Sequence, residues 1–182
     1  MVPATKEQKT ALQILRTSSS IDTPEKLAAL ISDESVPKYC NIDELSRKRW
    51  LGEQINALNY MTHSSKITSE IDLLVEASML DQSIMDDNAR WLTQTEMQEA
   101  FRRGITREYG DFFGITAGTL VGFLRGFMAG EKRQRAKAII RERESRREKE
   151  ADERLWAEIQ RKKAEGMFVP TWGPEYNFKD NK

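Results

Sequence analysis

Residues 91–128, WLTQTEMQEAFRRGITREYGDFFGITAGTLVGFLRGFM, constrain the fold more than any other stretch of this chain. They read as a capped helix, a turn rich in glycine and aromatics, and a second helix with glycines along one side. Thr93 stands where an N-cap hydroxyl belongs, Glu96 follows three residues later as a capping box requires, and Leu92 and Met97 occupy the staple positions. The first helix therefore starts at Thr93 or Gln94. Met97, Ala100 and Phe101 fall on its inner stripe, Gln98, Glu99, Arg102 and Arg103 point away, and Gly104 is placed to end it with a left-handed residue.

In the turn Tyr109-Gly110-Asp111-Phe112-Phe113-Gly114, two glycines open backbone conformations closed to other residues, and the three rings are expected to pack. Thr116 can cap the helix that follows. At 100° per residue Leu120, Phe123, Leu124 and Phe127 gather on one side, with Gly118, Gly122, Arg125 and Ala129 opposite them. Gly118, Gly122, Gly126 and Gly130 recur every fourth residue, and each interior glycine costs a helix about 1 kcal/mol relative to alanine. Close helix packing within the protein is the expected compensation; contact with a partner or with a nucleic-acid backbone is the second reading, and membrane insertion the third. A spanning helix is rejected because Arg125 would lie well inside the bilayer.

A soluble, cytoplasmic protein is expected. The first twenty residues have neither the apolar core nor the cleavage signature of a secretory signal. In 182 residues, 38% hydrophobic, there is material for one compact domain and appendages. Lys+Arg and Asp+Glu are both 29, so any affinity for nucleic acid must come from a local patch. A lone Cys40 excludes an intrachain disulfide and points to a reducing compartment.

Upstream, short helices are predicted. Pro24 follows Thr23 as an N1 proline ahead of Leu27, Leu30 and Ile31, and Asn41 with Glu44 is a possible capping pair ahead of Leu45, Leu51, Ile55 and Leu58. From Thr68 to about Ile84 the residues Ile71, Leu74, Val75 and Ser78 trace a stripe that should pack on the Met97/Phe101 helix. With no alternating strand pattern and no internal repeat, the fold class is all-α.

From Glu131 to Glu165 there is neither Gly nor Pro, and Lys132, Arg133, Arg135 and further bases crowd the first half, so one long charged helix is predicted. The pairs Glu142/Arg146, Glu150/Arg154 and Glu158/Lys162 support it at i,i+4 spacing. Its apolar residues are Ala136, Ile139 and Ile140 at one end and Leu155, Trp156 and Ile159 at the other, separated by roughly 15 Å of purely polar helix. The far cluster must dock on something. Beyond Gly166, Pro170 and Pro174 forbid regular structure while Phe168, Trp172, Tyr176 and Phe178 line an extended tail, which either covers its own domain or docks on a partner.

Enzyme chemistry has no sequence basis, and no cofactor or metal is expected. His63 stands alone in a polar stretch, no phosphate loop, dinucleotide fingerprint or nucleophile elbow is present, and Asp81, Asp86 and Asp87 read as residues of a solvated loop rather than a metal cluster.

The succession ITSEIDLLVEASML, WLTQTEMQEAFRRGI, EYGDFFG and TLVGFLRGF resembles a group of small helical proteins of bacterial phages and mobile elements. The resemblance covers about Ile67 to Arg135 and rests on Trp91, Leu92, Glu96, Phe101, Gly104, Tyr109, Gly110, Gly114, Phe123, Leu124 and Phe127. It implies an accessory of a replication module, of the replisome-organiser or helicase-loader kind. The chain is thus read as a partly helical arm (1–21), a helical domain (22–130), a long charged helix (131–165) and an aromatic tail (166–182). Its expected role is that of a non-enzymatic adaptor with a protein partner. Gly118, Gly122, Arg125, Leu155, Trp156, Ile159, Phe168, Trp172 and Tyr176 are the candidate partner contacts. Direct DNA binding is the first alternative, with Arg102, Arg103, Arg107, Arg125, Lys132, Arg133 and Arg135 on phosphates. Self-assembly through the charged helix is the second.

Overall fold

A computed structural model describes residue 21 and residues 23–63 and 69–166. These form six α-helices: α1 (Pro24–Ile31), α2 (Glu44–Thr62), α3 (Glu70–Asp86), α4 (Gln94–Ile105), α5 (Ala117–Ala129) and α6 (Glu131–Ala164), with short 3-10 turns at Tyr39–Asn41 and Asn88–Trp91. No strand occurs among the described residues, only an isolated bridge between Lys38 and Thr93, and the protein is all-helical. The chain divides into two compact units, Met1–Ile140 and Arg141–Lys182. The first therefore includes the opening turns of α6, where Ala136 is buried and Ile139 and Ile140 pack on the core. The arm, apart from Ile21, and the tail from Met167, with Phe168, Trp172 and Tyr176, lie outside the described residues.

Local chemistry sets the helix starts. Thr23 caps α1, with Pro24 at N1. Helix α4 opens with the complete capping box: the Glu96 N–H donates to Thr93 Oγ1 at 3.1 Å, and the Thr93 N–H donates to Glu96 Oε2 at 2.9 Å. Leu92 and Met97 are fully buried beside it. Helix α2 is capped by Asp43, not by Asn41, which lies in the preceding 3-10 turn. The shift follows from register: the helix begins at Glu44, so Asp43 is the residue whose carboxylate reaches the Ser46 N–H, at 2.9 Å.

Two expectations about helix faces are corrected. On α3 the stripe Ile71, Leu74, Val75 is exposed, while Ala77, Leu80, Asp81 and Ile84 are buried. Two apolar stripes share that helix, and the buried one packs against α2 and α5 rather than against α4. On α4, Glu99 and Arg103, expected to face water, are almost wholly buried. Arg103 Nε donates to Glu99 Oε1 at 2.6 Å, Arg102 reaches the same carboxylate at 2.8 Å, and Arg103 Nη2 donates to the Ile21 carbonyl at 3.4 Å. The charges can enter the interior because each finds its counterpart there.

Asp81 does not lie in a solvated loop. It sits within α3, buried, and accepts from Tyr39 Oη at 2.7 Å and from Arg47 Nε at 2.8 Å. Burial, with the Asp81 carboxylate close by, holds the Tyr39 phenol well above its usual pKa. Asp86 ends α3, and Asp87 caps the 3-10 turn that follows.

The Glu96 carboxylate has a second duty. Its Oε1 accepts from Arg133 Nη2 of α6 at 3.1 Å, and the side chains are 0% and 9% exposed. Glu96→Ala should lose about 3–5 kcal/mol, because it removes the cap and strands a buried guanidinium. Adding Arg133→Met to that variant should restore part of the loss; urea unfolding of the four proteins checks both, and strictly additive effects would contradict the pairing.

Candidate functional site

Helix α5 separates two surfaces. Leu120, Phe123, Leu124 and Phe127 are buried in the core, and Gly118, Gly122, Arg125 and Ala129 are exposed, so the two faces fall where the sequence spacing puts them. Thr116 caps the helix through the Thr119 N–H at 3.2 Å. Glu76 of α3 adds a carboxylate at the same end, accepting from the Ala117 N–H at 2.6 Å, which suits the positive end of the helix dipole. Glu76 is half-buried on α3, and no motif in the sequence marks it as the partner of a residue 41 positions on.

The glycines of α4 and α5 serve different ends. A Cβ at Gly104 would lie 2.2 Å from the Phe123 ring, so this glycine admits the ring; α4 runs on to Ile105, and the left-handed residue expected at Gly104 is Arg107, with φ 64°. A Cβ at Gly126 would meet the Tyr109 ring at 2.7 Å. At Gly122 nothing lies within 4 Å, and at Gly118 only its own cap hydroxyl does, at 3.9 Å. Among the described residues the expected close helix packing at Gly118 and Gly122 is therefore absent, and these two leave an open strip of backbone on the surface. Gly104→Ala should lower stability by more than 1 kcal/mol or so through overpacking, whereas Gly122→Ala should raise it by up to about 1 kcal/mol by helix propensity alone. Thermal melting distinguishes the two.

Aromatic side chains flank the strip. In the turn before α5, Gly110 at φ 101° and Gly114 at φ 147° allow the chain to reverse. Phe112 packs edge-on against Phe123 at 5.3 Å and Tyr109 lies 6.4 Å from the same ring, but Phe113 is 93% exposed, against the expectation that all three rings pack. A shallow cleft of ≈ 480 Å³ opens here, lined by Tyr109, Phe113, Thr119 and Gly122. A second, of ≈ 470 Å³, lies among Asp87, Trp91, Arg125, Ala129 and Lys137. Trp91 is half exposed, with the Arg90 guanidinium over its ring at 5.4 Å.

Arg125 Nε donates to Asp87 Oδ2 at 2.9 Å, and this bond holds the Asp87 carboxyl below the usual aspartate range. A carboxyl whose pKa is depressed by folding contributes stability that is present above the unfolded value, near about 4, and is lost as pH falls through the lower folded value. Asp87→Asn should accordingly flatten the acid side of the stability profile, measured by urea midpoints across that window.

The remaining candidates divide by burial. Arg103 and Arg133 are buried against Glu99 and Glu96, and neither presents its guanidinium to solvent. Arg102 is spoken for by Glu99, Arg107 by Asp111 at 3.4 Å, and Arg135 by Glu131. Lys132 is exposed. Six of the seven bases therefore already face carboxylates. In the second unit, residues 141–158 are all exposed, Leu155 and Trp156 included, Ile159 is half-buried, and Glu158 pairs with Lys162 at 2.7 Å.

Among the described residues no cluster of His, Cys, Asp and Glu could hold a metal ion, and no helix is long and apolar enough to cross a membrane. No family model matches the chain, and neither a curated protein nor a solved structure matches it significantly.

Proposed function

We propose that the chain is a non-enzymatic adaptor that receives a protein partner on the outer face of α5. The observation that carries this reading is the open backbone of Gly118 and Gly122 between the exposed rings of Phe113 and Trp91. An interior helix glycine such as Gly122 lowers stability, and among the described residues no contact at it offsets that cost. A partner helix can approach bare backbone closely, while an exposed Phe and Trp provide the large apolar anchors typical of interface hot spots. Arg125, clasped by Asp87, adds a polar rim. Leu155 and Trp156 on the second unit are further candidate contacts with a partner or with a second copy. The resemblance of residues 67–135 to phage and mobile-element accessories makes a replication protein the partner we favour.

Protein binding is favoured over direct DNA binding by the state of the bases: two are buried and most of the others already face carboxylates. Phosphate contacts would have to break those pairs. A photo-crosslinking side chain at Ala129, beside the strip, should trap a protein in cells of the native host, and Gly122→Leu should abolish the same adduct while leaving the melting temperature unchanged or higher. A short DNA duplex should show no mobility shift at low salt. A salt-sensitive shift without any protein adduct would overturn the proposal.

A further inference from the structure

The outer face of α3 is a second apolar surface, separate from α5. Ile71, Leu74, Val75 and Met79 are between 52% and 73% exposed, a density of uncovered aliphatic side chains that scattered surface residues do not reach. Ile71, Val75 and Met79 follow one another at i,i+4 spacing, so they form one stripe about two turns long, with Leu74 along its edge. The buried stripe of the same helix faces the opposite way, onto α2 and α5, so nothing in the core requires the outer stripe to be apolar.

The surrounding charge identifies the occupant. Helix α3 has Glu70, Asp72, Glu76, Asp81 and Asp86 and not one Lys or Arg. Glu76 and Asp81 are engaged inside the fold, which leaves Glu70 at the start, Asp72 beside the stripe and Asp86 at its end facing solvent without an ion pair among the described residues. The bases at the start of the neighbouring α2 are already committed: Arg47 to Asp81, Lys48 to Glu44 and Arg49 to Glu53. Two α3 stripes from two copies would bring like charges together, and an anionic bilayer would be repelled in the same way. We propose that α3 is a docking face for a cationic amphipathic helix of a partner protein, whose apolar side covers Ile71, Val75 and Met79 while its bases meet Glu70, Asp72 and Asp86. Such an acid-rimmed apolar face is complementary to the helix-in-groove mode of recognition. With the α5 face it would give an adaptor two distinct points of attachment on one compact unit.

The test is a titration of the full chain with a synthetic amphipathic peptide of about five helical turns, leucines on one face and lysines on the other. Binding is expected, weakening as salt is added, and a Leu/Glu peptide of the same pattern should not bind. Ile71→Lys combined with Val75→Lys should weaken binding at least about tenfold, while Gly122→Leu should leave it unchanged, so that failure here is distinguishable from failure of the α5 reading. If the double variant loses its melting transition, Met79→Lys replaces it. Equal binding of both peptides, indifference to the stripe substitutions, or wild-type dimers that dissociate in the Lys variants would each overturn the proposal.

Discussion

Two buried ion pairs meet at Phe127 and constrain how the first unit assembles: Glu96–Arg133 joins α4 to α6, and Glu99–Arg103 lies within α4. Glu96 caps its own helix with one carboxylate oxygen and receives Arg133 from α6 with the other; one helical turn on, Glu99 holds Arg103. The guanidinium carbons of Arg103 and Arg133 lie 5.7 and 5.8 Å from the Phe127 ring centroid, so the aromatic side chain of α5 meets charges supplied by both α4 and α6. Buried charges are tolerable only when each is paired and hydrogen-bonded, so Arg133 of α6 must be placed where Glu96 of α4 can receive it. The rest of the unit joins at the same cap. The Tyr39 N–H donates to the Leu92 carbonyl at 2.8 Å and the Tyr39 hydroxyl reaches Asp81, which also receives Arg47, so α3 and α2 are linked to the start of α4.

This arrangement fixes α5 from one side. Phe123 fills the notch at Gly104, Tyr109 closes on Gly126, Phe127 meets the charged pairs, and Glu76 holds the N-terminus. The opposite side adds only the Arg125–Asp87 bond among the contacts described. A helix secured mainly from within can keep weak helix-formers on its outer face, and the proposed docking strip is possible because the inner contacts hold a glycine-rich helix in place.

Local signals made the helix starts legible in the sequence. Thr93 with Glu96 and Thr23 with Pro24 act over three or four residues, and the structure has both. The 3.6-residue period likewise separated the inner from the outer side of α5, because that helix has a single apolar stripe. It failed on α3, where two stripes compete and only the tertiary neighbours decide which is buried. Burial of Glu99, Arg103 and Arg133 was illegible for a related reason: their partners are one turn away or on another helix, and a charged residue read alone belongs in water. Gly104 was misread because a glycine that ends a helix and one that admits a ring look alike in sequence; the difference is Phe123, nineteen positions on. Of the candidate site, the strip at Gly118, Gly122 and Arg125 could be read from spacing, but the open space above it, the exposure of Phe113 and the Asp87 clasp could not.

The central claim is that the inner contacts of α5, with the Arg125–Asp87 clasp, hold it without anything bound over Gly118 and Gly122. Native-state hydrogen exchange of the backbone amides tests it most directly. The amides of Phe123, Leu124 and Phe127 should exchange with the same free energy as those of Ala100 and Phe101, that of global unfolding, with no partner added. Exchange of the α5 amides through a separate, lower-energy opening would contradict it, because the inner contacts would then be insufficient to hold the helix without something bound on its outer side.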